Sequence, residues 1–185
     1  GGAVAIVLDA APLSPTCNTY VDESEAAAYV TDRISNSAVK AAWTALTAEL
    51  RATYLVNATR QIDSIAEWIG EKYSRDQRLD WPRFDAVVDG YYVDNTTFPQ
   101  PVKEATVEMA LWLMGNDGEI SQSQDAAYDS IQVGPISIDF NEKVSGAKDK
   151  YFPDIVAYIL RDYAVLGEPG LPSANSVRVV RLVRA

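Results

Sequence analysis

The segment that most constrains the fold is TAELRATYLVNATRQIDSIAEWIG, residues 47–70. Its apolar residues recur at intervals of three or four, which is the spacing of one face of an α-helix. That face comprises Leu50, Tyr54, Ala58, Ile62, Ala66 and Ile69. Thr47 is suited to cap the first turn, and Gly70 is suited to end the helix in the left-handed conformation. The pattern predicts a long central core helix.

Four other segments have helical patterns. Asp22 and Glu25 form a capping box, which predicts a helix starting near Glu23. A short helix is expected at about 37–45. Pro101 suits the first turn of a helix that follows the central one, and we expect this helix to end at Gly115 or Gly118. A last helix is expected from Pro153 to Leu166, with Gly167 as its C-cap. For the helix with Pro101 in its first turn, the predicted buried stripe is Val102, Ala105, Met109, Trp112 and Leu113.

Three segments favour strands. Residues 3–8, AVAIVL, read as a short apolar strand. Asp89-Gly90 stands between Val87-Val88 and Tyr91-Tyr92-Val93, and Asp-Gly in this setting indicates a tight hairpin. The segment IQVGPISIDF suggests two short β segments around Gly134-Pro135. The residues of this second hairpin are Val133, Gly134, Pro135, Ile136, Ile138 and Phe140.

The predicted fold class is mainly α: a small helical bundle with one or two short β-hairpins and extended terminal arms. We divide the chain into an N-terminal strand or arm (1–17), a helical domain (18–167) and a C-terminal arm (168–185). The Gly- and Pro-containing stretch GEPGLPSANS separates that arm from the helical domain.

The negative net charge of the chain makes nucleic acid an unfavourable partner. The chain has 26 acidic and 16 basic residues, a net charge of −10. Residues 1–170 hold all 26 acids and 13 of the bases, a net −13. Such a body repels phosphate backbones, which disfavours general nucleic-acid binding. No apolar run is long enough to span a bilayer, so no membrane contact is expected.

The residue types also argue against catalysis. The chain has no His, and Cys17 is its single cysteine. The commonest general base and metal ligand are therefore missing, and no zinc cluster can form. The acid pairs Asp22 with Glu25 and Asp117 with Glu119 are explained more simply as a helix cap and a solvated loop. We expect no enzymatic activity, no metal and no cofactor.

The four tryptophans fit a core better than a nucleic-acid surface. Trp43, Trp68, Trp81 and Trp112 fall on apolar faces or beside a proline. Stacking on single-stranded nucleic acid requires aromatic rings exposed among basic residues, and at Trp81 only Arg78 and Arg83 supply such neighbours, which is weak evidence for this kind of binding.

Several motifs together resemble one family. They are TYVDESEAAAY, ATRQIDSIAEWIGEKYSRDQRLDWPR, FPQPVKEATVEMAL and VGPISIDF, in this order. The order is similar to that of the head–tail connector (adaptor) proteins of tailed bacteriophages, over roughly residues 18–165. Some relatives of those proteins are labelled DnaT-like single-stranded-DNA-binding proteins. The stretch after Trp81-Pro82-Arg83 departs from the commonest pattern of the family.

The resemblance implies a mostly helical adaptor without enzymatic activity. Such proteins assemble as a ring, a dodecamer, under the portal protein and extend the DNA channel. The ring offers a platform to the tail or to a stopper (tail-completion) protein. We therefore expect the chain in the virion at the head–tail interface, and in the host cytoplasm during assembly. Genome DNA would pass through an acidic lumen without sequence-specific binding.

The last ten residues, SVRVVRLVRA, combine three arginines with apolar residues and no acid. We interpret them as an arm that binds the portal or a neighbouring copy, as a helix or as a strand. The proposed contacts are Val177, Arg178, Val179, Val180, Arg181, Leu182, Val183 and Arg184. Two alternatives are a strand paired with AVAIVL of the same chain, and arginines directed to channel DNA.

The hairpin at 133–140 and the loop at 116–130 are candidates for contacts between subunits or with a tail protein. The hairpin could equally cap its own helical bundle. For the whole protein, the main alternative is a single-stranded-DNA-binding accessory protein of phage replication. A third hypothesis is an inhibitor or scaffold that binds a basic host protein.

Overall fold

The computed structural model describes residues 6–116, 131–133, 136–138 and 151–167, with backbone only for the two short segments between 131 and 138. The described part is mainly α-helical with small two-stranded sheets, as the sequence predicted. Its helices are α1 (Glu23–Arg33), α2 (Ser37–Ala45), α3 (Ala48–Ile65), α4 (Gln100–Gly115) and α5 (Asp154–Leu160). Its strands are β1 (Ala66–Trp68), β2 (Glu71–Lys72), β3 (Arg83–Phe84), β4 (Val87–Val88), β5 (Tyr91–Tyr92), β6 (Ile131–Val133), β7 (Ile136–Ile138) and β8 (Ala164–Leu166).

The starts of the helices follow local capping chemistry. The Asp22 carboxylate accepts a hydrogen bond from the Glu25 amide at 2.8 Å, and the Asp22 amide donates back to the Glu25 carboxylate. Thr47 caps α3 through the Leu50 amide, and Pro101 lies in the first turn of α4. These predicted starts are confirmed. At α1 and α3 a side chain accepts from an amide that the first turn leaves unpaired, whereas at α4 Pro101 has no amide hydrogen to leave unpaired.

The predicted end of the central helix is wrong. Helix α3 ends at Ile65, and residues 66–68 form β1 instead of a last helical turn. β1 pairs with β8 in antiparallel register, with Trp68 opposite Ala164. Gly70 has a positive φ of 69°, but it follows this strand and does not cap α3. The strand pairing replaces the helical hydrogen bonds and directs Trp68 into the core, where it is 8 % exposed.

The predicted buried face of α3 is only partly correct. Ala58 and Ile62 are fully buried, but Leu50 is 46 % exposed. The face is broader than one stripe because α4 and the segment before α1 both pack on α3. The buried residues of α3 are Ala52, Leu55, Ala58, Thr59, Gln61, Ile62 and Ile65.

The last helix is also shorter than predicted. Helix α5 ends at Leu160, and residues 164–166 form β8, so Gly167 is no helix cap. The Gly167 amide donates to the Ile65 carbonyl at 2.8 Å, and the Ile69 amide donates to the Tyr163 carbonyl at 3.0 Å. These bonds join the ends of α3 and α5 side by side. Along α4, the predicted stripe is confirmed, with Trp112 half-buried and the others buried.

The N-terminal strand is not present where the structure describes it. Residues 6–8 adopt no strand, and residues 1–5 lie outside the described part. The Asn18 side chain explains this difference, because its amide donates to the Val7 carbonyl and its carbonyl accepts from the Asp9 amide, both at 2.9 Å. A side chain thus takes the place of a partner strand. The C-terminal arm, 168–185, lies outside the described residues.

An aromatic group occupies one end of the core. Trp81 is 1 % exposed, and its ring meets that of Trp68 edge-on at 5.8 Å. Tyr20 is fully buried and meets Phe98 edge-on at 5.0 Å. Trp43, at 3 % exposure, is also in the core. The prediction that the tryptophans pack in the core is confirmed for these residues.

Candidate interaction surface

Most of the site residues predicted from the sequence lie outside the described part of the chain. This holds for the whole arm from Val177 to Arg184, and for Gly134, Pro135 and Phe140. Ile131–Val133 and Ile136–Ile138 do form an antiparallel pair, with Val133 opposite Ile136. The two predicted strands and their pairing are therefore confirmed, and the role of the hairpin in binding stays a prediction.

The described residues expose a different hairpin. Tyr91 is 79 % exposed and Tyr92 is 78 % exposed, with Val87 beside them at 45 %. We call residues 87–92 the tyrosine hairpin. Successive side chains of a strand point to opposite faces. Because neighbouring Tyr91 and Tyr92 are both exposed, neither face of this two-stranded ribbon is covered by the described part of the chain.

A tight turn and a buried base hold the hairpin in place. Asp89 and Gly90 have φ values of 52° and 84°, as a two-residue turn of the primed type requires. Below the strands, Ala86 is 1 % exposed and its carbonyl accepts from the Val93 amide at 2.8 Å. Val93 packs against the core. The tyrosines are thus presented by a fixed scaffold.

Gly70 lets the chain pass close beneath this scaffold. A Cβ on Gly70 would lie 2.2 Å from the Phe84 carbonyl oxygen and 2.8 Å from the Ala86 amide nitrogen. Both are backbone atoms, so a side chain has no room to rotate away. The close approach joins β2 and β3, in which Glu71 pairs with Phe84.

We expect Gly70→Ala to lower the free energy of unfolding by at least about 2 kcal/mol, since it adds a backbone overlap to a left-handed φ. Gly90→Ala is the matched control, because Gly90 also has a positive φ but has no atom within 4 Å of an added Cβ. It should cost about 1 kcal/mol. Urea unfolding followed by circular dichroism measures both, and equal losses would contradict the packing role of Gly70.

A second aromatic contact lies on β2–β3. The rings of Tyr73 and Phe84 stack at 4.6 Å with an interplanar angle of 19°, and they are 37 % and 41 % exposed. Two residues, Asp85 and Ala86, separate Phe84 from the tyrosine hairpin. Exposed aromatic side chains therefore continue from one small sheet to the next along the chain.

The Trp-Pro-Arg motif supports these sheets from inside. The Arg83 guanidinium donates to the Ile69 and Gly70 carbonyls, both at 2.7 Å, and to the Asp80 carbonyl at 3.1 Å. The Trp81–Pro82 peptide bond is cis. With Trp81 buried and Arg83 bonded to backbone, neither side chain is available to stack on or bind a nucleic-acid strand. The sequence signal for single-strand binding at Trp81 is therefore explained by packing.

The surroundings of the tyrosine hairpin are acidic. Asp85, Asp89 and Asp94 are all exposed. Hydrogen bonds from the Thr96 side chain and amide hold the pKa of Asp94 below its usual value. The lysines on either side of the hairpin in sequence are both paired, Lys72 with Asp80 and Lys103 with Glu25. Across the described residues, 18 acidic side chains face 10 basic ones.

A partly buried polar cluster lies behind the sheets. The Tyr20 hydroxyl donates to Asp63 at 2.6 Å and accepts from the Asp80 amide at 3.1 Å. Burial, with the nearby charge of Asp80, raises the pKa of Asp63 to about 7. The cluster joins α3, the segment before α1 and the loop before β3. Its hydrogen bonds hold these three segments together.

Other kinds of site receive no support from the described residues. Within 6–116 and 151–167, no three His, Cys, Asp or Glu residues are grouped so as to hold a metal ion. No described helix is long and apolar enough to cross a bilayer. Cys17 is buried, and that burial raises the pKa of its thiol to about 11, which makes it a poor nucleophile.

Sequence reasoning found the tyrosine hairpin but not its exposure. The Asp-Gly turn predicted the strands correctly. Adjacent tyrosines are compatible with a core or with a surface, and their exposure depends on which other elements pack nearby.

One family model matches the chain. It covers residues 4–185, and its description is "Putative DnaT-like ssDNA binding protein". No curated protein and no solved structure matches the chain. Since the match extends over nearly the whole sequence, the chain belongs to this DnaT-like family.

Proposed function

We propose that the protein is a structural head–tail adaptor of a tailed bacteriophage, which forms a ring and docks on the portal protein. The observation that carries the proposal is the tyrosine hairpin, which is exposed on both faces with respect to residues 6–116 and 151–167 and is fixed to an acidic helical body. The order of motifs along residues 18–165 supports the adaptor assignment. Neighbouring copies, the portal and a tail or stopper protein are the proposed partners.

The chemistry of the hairpin favours a protein partner. Tyrosine supplies a large rigid contact area with a polar tip, and it is enriched where protein interfaces bind most strongly. The neighbouring aspartates would repel phosphates. They suit a partner surface with basic groups at its rim. A structural role without catalysis follows from this proposal, as does a place in the virion.

We expect a Tyr91→Ser, Tyr92→Ser double variant to keep the stability of the parent protein, because both side chains are largely exposed. It should no longer attach to portal-containing capsids, which can be measured by co-sedimentation. Tyr158→Ser is the matched control, since Tyr158 is 64 % exposed on α5. Attachment by the double variant at parental level would refute a docking role for the hairpin.

The second candidate is single-stranded-DNA binding, which the family description favours. Exposed aromatic rings at Tyr73, Phe84, Tyr91 and Tyr92 are suitable for base stacking. A labelled oligothymidylate distinguishes the candidates by fluorescence anisotropy. Binding with a steep salt dependence, lost in the double tyrosine variant, would support the DNA role. Absence of binding at low salt, with the protein present in purified virions, would support the adaptor.

A further inference from the structure

An acidic groove lies at the opposite end of α3 from the β1–β8 sheet. Its volume is about 380 Å³, and it is bounded by the N-terminal segment and by the first turns of α1 and α3. The residues that line it are Ile6, Leu8, Asp22, Glu23, Ser24, Ala48, Glu49 and Ala52. We call it the acidic groove.

The floor of the groove is apolar and open. Ile6 is 41 % exposed, and Val7 beside it is 79 % exposed. Ile6 and Leu8 form no backbone–backbone hydrogen bond with another described residue. An incoming chain can therefore bury apolar side chains here and also bond to backbone groups that no other described residue uses, as in the addition of a strand.

The rim of the groove carries negative charge. Hydrogen bonds from the Glu25 amide and the Ser24 hydroxyl lower the pKa of Asp22, which keeps it ionised. Glu23 is paired with Arg51 at 2.7 Å. Glu49 is exposed, and no lysine or arginine is among the lining residues.

The C-terminal arm of this chain has the complementary composition. Residues 176–185 carry Arg178, Arg181 and Arg184, no acid, and five branched apolar residues. Valines and leucine would cover the apolar floor, and guanidinium groups would pair with the carboxylates at the rim.

The length of the tether favours an arm from another copy. The Gly167 amide is bonded to the Ile65 carbonyl at one end of α3, while Ala48 begins the other end. That helix of 18 residues is about 27 Å long. Residues 168–176 span at most about 32 Å when fully extended. To reach its own groove, the arm would need an almost straight tether, although Pro169, Gly170 and Pro172 favour turns.

We propose that the acidic groove of one copy binds residues 176–185 of a neighbouring copy. The contact links successive subunits head to tail, and such a contact closes into a ring when the rotation between subunits allows it. The proposal builds on the self-assembly in the proposed function, but it does not depend on the portal.

The test joins two different copies of the 185-residue chain. One carries Ala48→Cys, at an exposed position on the rim, and the other carries Val180→Cys, each with Cys17→Ser to remove the native thiol. Both are mixed under mild oxidation, and circular dichroism checks that each is folded. We expect a disulfide-linked heterodimer, at least about tenfold more abundant than with Ser74→Cys in place of Ala48→Cys, because docking raises the local thiol concentration. Ser74 is exposed and lies outside the groove.

A heterodimer yield equal to that of the Ser74→Cys control would overturn the proposal. A chain carrying both Ala48→Cys and Val180→Cys provides the second readout. If this chain forms only an intramolecular disulfide at every dilution, the arm docks in its own groove, and the proposal fails.

Charge reversal gives an independent measurement on the same contact. Glu49→Arg or Arg181→Glu alone should weaken self-association about tenfold or more by sedimentation velocity, and mixing the two variants should restore part of it. If cross-linking succeeds while virions lack the protein, the groove contact stands and the adaptor function fails. If virions contain the protein but no cross-link forms, the function stands and this contact fails.

Discussion

Replacement of Trp81 by alanine should lower the free energy of unfolding by about 4 kcal/mol, within the range for removing a large buried aromatic side chain. Trp81 is 1 % exposed. Its ring contacts Trp68 edge-on at 5.8 Å and Tyr163 at 6.0 Å. The variant therefore leaves a cavity where β1, the loop before β3 and the end of α5 meet. Urea unfolding followed by circular dichroism gives the value.

Trp112→Ala is the matched control, because Trp112 is half-buried on α4 and lies outside this aromatic group. It should cost less than Trp81→Ala, since part of the Trp112 side chain is exposed and less apolar area is lost from burial. A loss below about 1 kcal/mol for Trp81→Ala would contradict the structural role. Single-stranded-DNA binding by the folded fraction, if the parent binds, should not change, since the buried ring is not available for stacking.

A large loss of stability in Trp81→Ala would indicate that the Trp81-Pro82-Arg83 motif, which is part of the family resemblance, has a structural role. In the sequence, Trp81 with Arg78 and Arg83 resembles part of a nucleic-acid surface. In the structure, Arg83 donates three hydrogen bonds to carbonyls and Trp81 is enclosed. The motif therefore builds the platform on which the tyrosine hairpin stands. The binding residues that we propose lie next to the motif and not within it.

The features predicted correctly are those with local causes. A cap needs only the residues of one turn, so Asp22, Thr47 and Pro101 marked their helices. The Asp89-Gly90 turn likewise depends on the conformations of two adjacent residues. Helix caps and tight turns are therefore determined by a few consecutive residues and can be predicted from them.

The features predicted wrongly depend on distant partners. Residues 66–69 continue the helical spacing of α3, but they pair with residues 163–166, about a hundred positions further along. Periodicity carries no information about that partner. The exposure of Leu50 has a similar origin, because the buried face of α3 depends on where α4 and the segment before α1 pack. Exposure of Tyr91 and Tyr92 also depends on distant packing.

The second large effect concerns Asp63, whose carboxylate faces two other acidic or weakly acidic groups. Tyr20 donates its hydroxyl proton to Asp63 at 2.6 Å, and the Asp80 amide lies 3.4 Å from the other carboxylate oxygen. The Asp80 carboxylate is itself paired with Lys72 at 2.7 Å. Burial raises the pKa of Asp63 to about 7, with a further contribution from the charge of Asp80.

The raised pKa makes stability depend on pH in a definite direction. An unfolded aspartate has a pKa of 3.8, so between about pH 4 and pH 7 the folded chain holds a proton that the unfolded chain releases. The free energy of unfolding should therefore fall as pH rises through this range and then level off. The full change is on the order of 4 kcal/mol. Glu108, whose pKa is also raised by burial, adds to the fall at the acidic end.

Asp63→Asn should remove most of this dependence, because an amide keeps the acceptor for Tyr20 and has no proton to lose. The variant is expected to match the parent near pH 5 and to exceed it near pH 8, as measured by thermal unfolding at both values. Asp76→Asn is the control, since Asp76 is an exposed aspartate on the loop after β2. The chain has no histidine, so no histidine titration obscures the interval between pH 6 and pH 8. A parent protein equally stable at pH 5 and pH 8 would contradict the raised pKa of Asp63, because an aspartate with an ordinary pKa is ionised at both values.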